Sequence, residues 1–200
     1  MNNLFDKIED LGGVKYISNE DLESSIDKSL SIVNSIMGKI PDLEIIEFVS
    51  KFGNSRFNND VYAKNDIKSG FLQSGEIEIG TIFGWDDSNK GVGSIINQYF
   101  SPNQITARFF PLFEGYPGDI IYYSLEEDSF GNIYYWYHES DNEEDDYFLA
   151  DTLHDFIDNF FIKVDDDSDE IPLSDDELEQ INMKRKKVGL PPIDKFKNIV

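Results

Sequence analysis

A chain with a formal net charge of −23 can build a core only if its acids are kept away from it. Here the sequence separates the two along its length. Residues 1–138 hold 21 acidic and 10 basic residues, a net of −11. Residues 139–179 hold 18 acidic residues against the single base Lys163, a net of −17. Residues 180–200 hold 6 basic residues and Asp194, a net of +5. Hydrophobic residues make up 40% of the chain and aromatic residues 14%, too much apolar material for a disordered acidic polymer. A length of 200 residues suffices for one compact domain with a core of its own.

That charge bounds the partners. A strongly acidic surface repels nucleic acid and anionic membrane and favours cationic proteins. Without any cysteine, the chain has no disulfide, thiolate nucleophile or cysteine metal site. Asp6, Glu9 and Asp10 interrupt any signal-like opening, and no apolar run reaches the roughly 20 residues of a membrane span. The expectation is a cytoplasmic protein; nothing in the sequence fixes an oligomeric state.

Helical periodicity starts after Ser18-Asn19-Glu20-Asp21, a capping sequence with acids in the first turn. Leu22, Ile26, Leu30, Val33 and Met37 follow at helical spacing, and Gly38 ends the run. A second helix begins near Pro41, with Leu43, Ile46, Val49 and Phe52 as its stripe, and stops at Gly53. Residues 54–138 change character. Aromatic and β-branched runs between turn residues predict strands over 76–84, 108–113, 120–125 and 133–137. The last two flank Glu126–Asn132 and predict a hairpin. Residues 95–100 predict a short helix. Leu153, Phe156, Ile157, Phe160 and Phe161, capped by Asp151 or Thr152, predict a closing helix with one wide apolar face. After the acidic linker from Asp165 to Glu170, Ser174 and Glu177 form a capping box for an appended helix that ends in Lys184–Lys187. The division expected is a domain over 1–164 and an appendage over 165–200.

The sequence offers little catalytic or metal-binding chemistry. His138 and His154 lie in no metal spacing, and both read as structural or surface residues. Asp165, Asp167 and Asp169 share the first spacings of an EF-hand loop, but Glu170 stands where glycine is needed and Asp176 where glutamate is needed. The segment Asp86–Gly91 has the turn without the remaining ligands. Gly91-Val92-Gly93 lacks the rest of a phosphate-binding pattern. Carboxylates are abundant, but solvated ones keep ordinary pKa values and make poor general acids. An enzyme acting on carbohydrate or a cationic substrate would need a deep pocket holding two close, buried acids. No cofactor, metal or catalytic residue is expected.

Several segments, in order, resemble the SUKH superfamily of bacterial immunity proteins and fungal cell-wall-synthesis regulators. They are Ile40-Pro41-Asp42 with Phe48–Gly53, Ile82-Phe83-Gly84-Trp85, and Phe110–Phe113 followed by Pro117-Gly118-Asp119-Ile120. Gly131–His138 and Phe148–Ile157 complete the series. The resemblance covers roughly residues 18–162. Leu153 departs from it, standing where an aromatic is common, and 165–200 lies outside it. It implies an α+β domain: a central, mostly antiparallel sheet with N-terminal helices and a closing C-terminal helix packed on it. It implies no catalytic residues, and Trp136 and Phe156 would be core. Many bacterial members neutralise toxins, often nucleases, delivered by neighbouring cells.

The resemblance and the localised charge together lead to an immunity protein that blocks the cationic site of a cognate toxin. Glu139, Asp141, Glu143, Glu144, Asp145 and Asp146 would enter that site. Tyr147, Trp85, Tyr116 and Phe130, which border predicted loops, would supply apolar anchors. The alternative is a non-catalytic scaffold or regulator that contacts basic cellular partners. Neither reading involves direct contact with nucleic acid or membrane.

Overall fold

The computed structural model describes residues 4–17, 23–67, 74–100, 104–139, 146–163 and 175–187. The chain divides into two compact units, Met1–Lys163 and Val164–Val200. The first is an α+β domain. Its elements are α1 (Leu4–Asp10), β1 (Val14–Tyr16), α2 (Glu23–Met37), α3 (Leu43–Phe52), β2 (Ser55–Phe57) and β3 (Val61–Lys64). They continue with β4 (Glu76–Glu78), β5 (Thr81–Ile82), α4 (Val92–Tyr99), β6 (Phe109–Glu114) and β7 (Ile120–Ser124). Then come β8 (Ile133–Trp136), β9 (Asp146–Ala150), α5 (Leu153–Asp158) and β10 (Phe160–Ile162). In the second unit, α6 spans Asp175–Lys187.

Seven strands form an antiparallel sheet in the order β1-β2-β5-β6-β7-β8-β9, and three form a smaller one in the order β10-β3-β4. Two short links join the sheets: residues 58–60 carry the chain from β2 to β3, and Ile79-Gly80 carries it from β4 to β5. The single strand expected over 76–84 is therefore two strands in different sheets. Gly80 is the reason. Its N–H donates to the Glu114 carbonyl at 2.8 Å, and a Cβ there would lie 3.1 Å from the same oxygen. Glycine allows this close backbone approach without displacing Glu114, and the chain passes from one sheet to the other there.

The core is a network of phenylalanine rings centred on Phe113 of β6. Phe113 meets Phe48 of α3 at 5.7 Å, Phe156 of α5 at 6.0 Å and Phe160 of β10 at 5.8 Å, each in a tilted or edge-on geometry. Phe48 continues to Phe52, and Phe52 to Phe5 of α1. Phe160 continues to Phe57 of β2. One ring network thus ties both sheets to three helices.

Two expectations change here. The closing helix stops at Asp158, not Phe161. Thr152 caps it by accepting from the Asp155 N–H, and Asn159 ends it. Phe160 and Phe161 belong to β10, where the backbone pairs with β3 at Ala63 and Tyr62. Phe160 still reaches the core; it does so from a strand, because β3 offers an unpaired edge. Trp85 is the second correction. Expected as an exposed anchor, it is fully buried, with its ring 5.7 Å from Phe110. Its Nε1–H donates to Ser50 Oγ at 3.0 Å, and its carbonyl accepts from Ser29 Oγ at 2.9 Å. It ties α2 and α3 to β6 and has no surface to offer a partner.

Truncation of Trp85 to alanine is therefore expected to destabilise the domain by about 3–5 kcal/mol. Urea unfolding followed by circular dichroism measures this. A loss under about 1 kcal/mol would contradict a core role.

Candidate functional site

Antiparallel order places the turns of the large sheet at alternate ends. The β6–β7 turn, Gly115–Asp119, and the β8–β9 connection that begins at Tyr137 lie at one end; the β7–β8 turn lies at the other. This sorts the residues expected to bind a partner. Glu139 is exposed at the first end, where it follows β8. Asp146 is exposed as the first residue of β9, opposite Trp136. Tyr147 is half-buried beside it, opposite Tyr135. Tyr116 is 63% exposed in the β6–β7 turn, at this same end. Asp141, Glu143, Glu144 and Asp145 lie outside the described residues. Phe130 sits at the opposite end, half-buried, edge-on to Tyr123 and covered by the Lys39 ammonium 3.4 Å from its ring centre. Phe130 is thus remote from the acidic segment, and Trp85 is inside the core.

The acidic end is held by Asp119, which is 1% exposed. Gly118, at φ 99°, makes the left-handed turn that delivers it. A Cβ at Gly118 would lie 2.9 Å from the His138 ring, so glycine also makes room for that ring. Asp119 Oδ1 accepts from the His138 backbone N–H at 3.1 Å and stands 2.6 Å from His138 Nδ1. Asp119 Oδ2 accepts from the Tyr135 hydroxyl. His138 Nε2 faces Glu139 Oε1 at 3.7 Å. Tyr137 in turn donates to Glu139 Oε2 at 3.2 Å. The turn before β7 is thereby clamped to the end of β8, from which the acidic connection leaves.

In the angle between the sheets lies a cleft of about 300 Å³. The large sheet contributes Tyr116, Asp119, Tyr135 and Tyr137 to it, and the small sheet Tyr62, Glu76, Ile77 and Glu78. Tyr62, opposite Glu78, and Lys64, opposite Glu76, share one face of the small sheet. Lys163 Nζ stands 2.9 Å from Glu76 Oε2 and 4.7 Å from the centre of the Tyr62 ring. Burial first, and the charge of Glu78 second, push the Tyr62 hydroxyl pKa up, against a smaller opposing pull from Lys163. Burial and then the hydrogen bond to Asp119 push Tyr135 up strongly. On the other face of the large sheet, Tyr122 is pushed up by burial and then by the Asp146 carboxylate, to which it is hydrogen-bonded. Tyr122, Tyr134 and Phe148 form a ring ladder across β7, β8 and β9.

Tyr62, Glu76, Glu78, Asp119, Tyr135 and Tyr137 are not among the site residues expected from the sequence; the last three enter there only within segments that carry the resemblance. The one available signal was Pro117-Gly118-Asp119, a turn that places an acid directly before an apolar strand. Among the described residues the buried acids are Asp119 and Asp86. They are not a pair. Asp86 Oδ1 accepts from the Ser88 N–H and hydroxyl, closing the turn that the sequence offered as a partial cation loop. No group of three or more His, Asp or Glu side chains suited to a metal ion occurs among the described residues. The Asp165–Glu170 run lies outside them. No described helix is long and apolar enough to cross a membrane.

Tyr122, Tyr123 and Tyr135 all have raised folded values, with burial as the largest cause. In the unfolded chain they ionise near pH 10. The fold then binds more protons than the unfolded state, so stability is complete below about pH 10 and falls as pH rises above it. Alkaline titration is expected to show tyrosinate absorbance appearing together with loss of near-ultraviolet dichroism. Ionisation of every tyrosine with the fold intact would contradict this. At neutral pH, Tyr135→Phe removes a donor from a buried carboxylate and should cost roughly 1–3 kcal/mol.

No protein-family model matches the chain, and no curated protein matches it.

Proposed function

We propose that this protein is a cytoplasmic, non-catalytic immunity protein that neutralises a cationic bacterial toxin by covering the toxin's basic site with the acidic end of its large sheet. The observation that carries the proposal is the gathering at that end of Glu139, Asp146, the exposed Tyr116 and the tyrosine-lined cleft. Nuclease toxins need basic grooves for phosphate, and an acidic projection competes for the same groove. Dense like charge supplies long-range attraction and raises association rates. Affinity needs desolvated aromatic anchors beside the charge. This reading takes Tyr116 and Tyr147 as the anchors; Trp85 is buried and Phe130 lies at the other end of the sheet. The resemblance to the SUKH superfamily supports the same class of partner.

A regulator binding basic cellular proteins is the second reading. The run Lys184–Lys187 near the end of α6, opposite in sign to the acidic segment, favours it, since it offers a second interface. A toxin gene immediately upstream separates the two readings in favour of immunity.

The test is binding to the product of that neighbouring gene. Replacing Glu139, Asp141, Glu143, Glu144, Asp145 and Asp146 by Gln or Asn is expected to slow association about tenfold or more at low salt and to flatten its salt dependence. Stopped-flow association and a cell-protection assay provide the readouts. An unchanged association rate with unchanged protection would sink the electrostatic mechanism.

A further inference from the structure

The cleft between the sheets has a chemical character more specific than acidity. Its lining includes Tyr62, Tyr116 and Tyr137 together with Glu76 and Glu78, and none of the described residues lining it is basic. Tyrosine faces and carboxylates together attract one class of group, a cation carried on an apolar stem. Asp119, whose side chain is fully buried, supports this wall from beneath through its contacts with Tyr135 and His138.

A second, independent observation is Lys163. Its ammonium bonds to Glu76 and lies over the Tyr62 ring. Two of the cleft's side chains therefore already hold a cation, and that cation belongs to the chain itself. Lys163 is 44% exposed and is not among the residues that line the cleft. A volume of about 300 Å³ is at the small end of ligand sites and fits a single long side chain better than a drug-sized ligand or cofactor.

We propose that the cleft receives one arginine or lysine side chain of a protein partner, and that Lys163 is a resident competitor for Glu76 and Tyr62 which the incoming cation displaces. Its assignment to a toxin rests on the function proposed above; the cation-binding chemistry of the cleft does not. The partner's cation lies over the tyrosine faces, with its charge toward Glu76 and Glu78. Its displacement of Lys163 acts on the last residue of the domain, directly before the second unit.

The full-length protein, labelled at tyrosine, is titrated by NMR with N-acetyl-arginine amide and N-acetyl-lysine amide as probes. N-acetyl-norleucine amide is the uncharged control. Saturable shifts at Tyr62, Tyr116 and Tyr137 with the cationic amides, and none with norleucine, are expected. Tyr62→Leu combined with Glu76→Gln should weaken binding about tenfold, the loss of a cation–π contact and a charged hydrogen bond. Lys163→Met should tighten it about threefold, the strength of one exposed ion pair. Equal binding of norleucine, or no saturable shift in the cleft, overturns the assignment. Unchanged affinity in Lys163→Met overturns the competitor role. The toxin supplies the separating arm. A toxin complex that forms equally well with the Tyr62→Leu, Glu76→Gln variant overturns the cleft and leaves toxin binding standing. A protein that holds the cationic amides in the cleft but binds no toxin sustains the cleft and removes the toxin as partner.

Discussion

A buried carboxylate with no lysine or arginine against it is costly unless donors surround it. Asp119 meets that condition. Tyr135 and His138, two and five residues along from Ile133 on the neighbouring strand, converge on it from β8 and its end. The geometry of the acidic end depends on this arrangement. It fixes where the β6–β7 turn lies, and so where Tyr116 stands. It fixes the direction in which the chain leaves β8 toward the acidic connection, and it closes one wall of the cleft. The glycine at 118 is required twice, for its left-handed backbone and for the space of the imidazole. A clamp made of one acid, one phenol and one imidazole is thus the support for every candidate contact at this end.

The charge distribution follows from the same economy. The phenylalanine network around Phe113 holds the domain without any ion pair inside it. The pairs Lys28–Asp87, Lys90–Glu114 and Lys163–Glu76 each have at least one substantially exposed partner. Such pairs contribute about 0–1 kcal/mol each. Acids are therefore free to accumulate on the surface, since the core does not depend on neutralising them. This reconciles a net charge of −23 with a closely built interior.

Much of this was legible in the residues, and the failures have identifiable causes. The stripes Ile26–Met37 and Leu43–Phe52 are strongly periodic, and α2 and α3 lie on them. The hairpin of β7 and β8 followed from two aromatic runs around a glycine-containing turn, and the α+β class from the whole. The strands β2, β3 and β10 were missed because each has three or four residues, too short for a period-2 pattern to register. Phe160 and Phe161 continue the helical spacing of Phe156 and Ile157 by coincidence of side-chain type; pairing with β3, a tertiary event, decides their state. Trp85 was misplaced because a tryptophan beside a glycine and two acids looks like a loop residue. Its hydrogen bonds to Ser50 and from Ser29 come from helices far away in sequence. The cleft was illegible for the same reason: its residues are collected from two sheets that tertiary packing brings together.

Charge and shape have separate duties at such an end. A cluster of solvated acids attracts a basic protein from a distance, but each carboxylate keeps much of its hydration on contact and adds little to the lifetime of the complex. Lifetime comes from groups that lose water and gain a fitted partner. In the proposed complex those groups are tyrosines: Tyr116 exposed at the turn, Tyr147 beside Asp146 in sequence, and the rings around the cleft. Tyrosine suits the position, because its ring gives area at little entropic cost while its hydroxyl stays satisfied by a neighbouring acid, as Tyr135 is by Asp119 and Tyr137 by Glu139. The acids next to these rings then do more than attract. Asp119 and Glu139 orient the hydroxyls of Tyr135 and Tyr137, so in the proposed complex a cation would meet ring faces held in place beside negative charge. On that proposal, specificity for a cationic side chain arises from the combination; neither the acidic run nor the aromatic content would produce it alone.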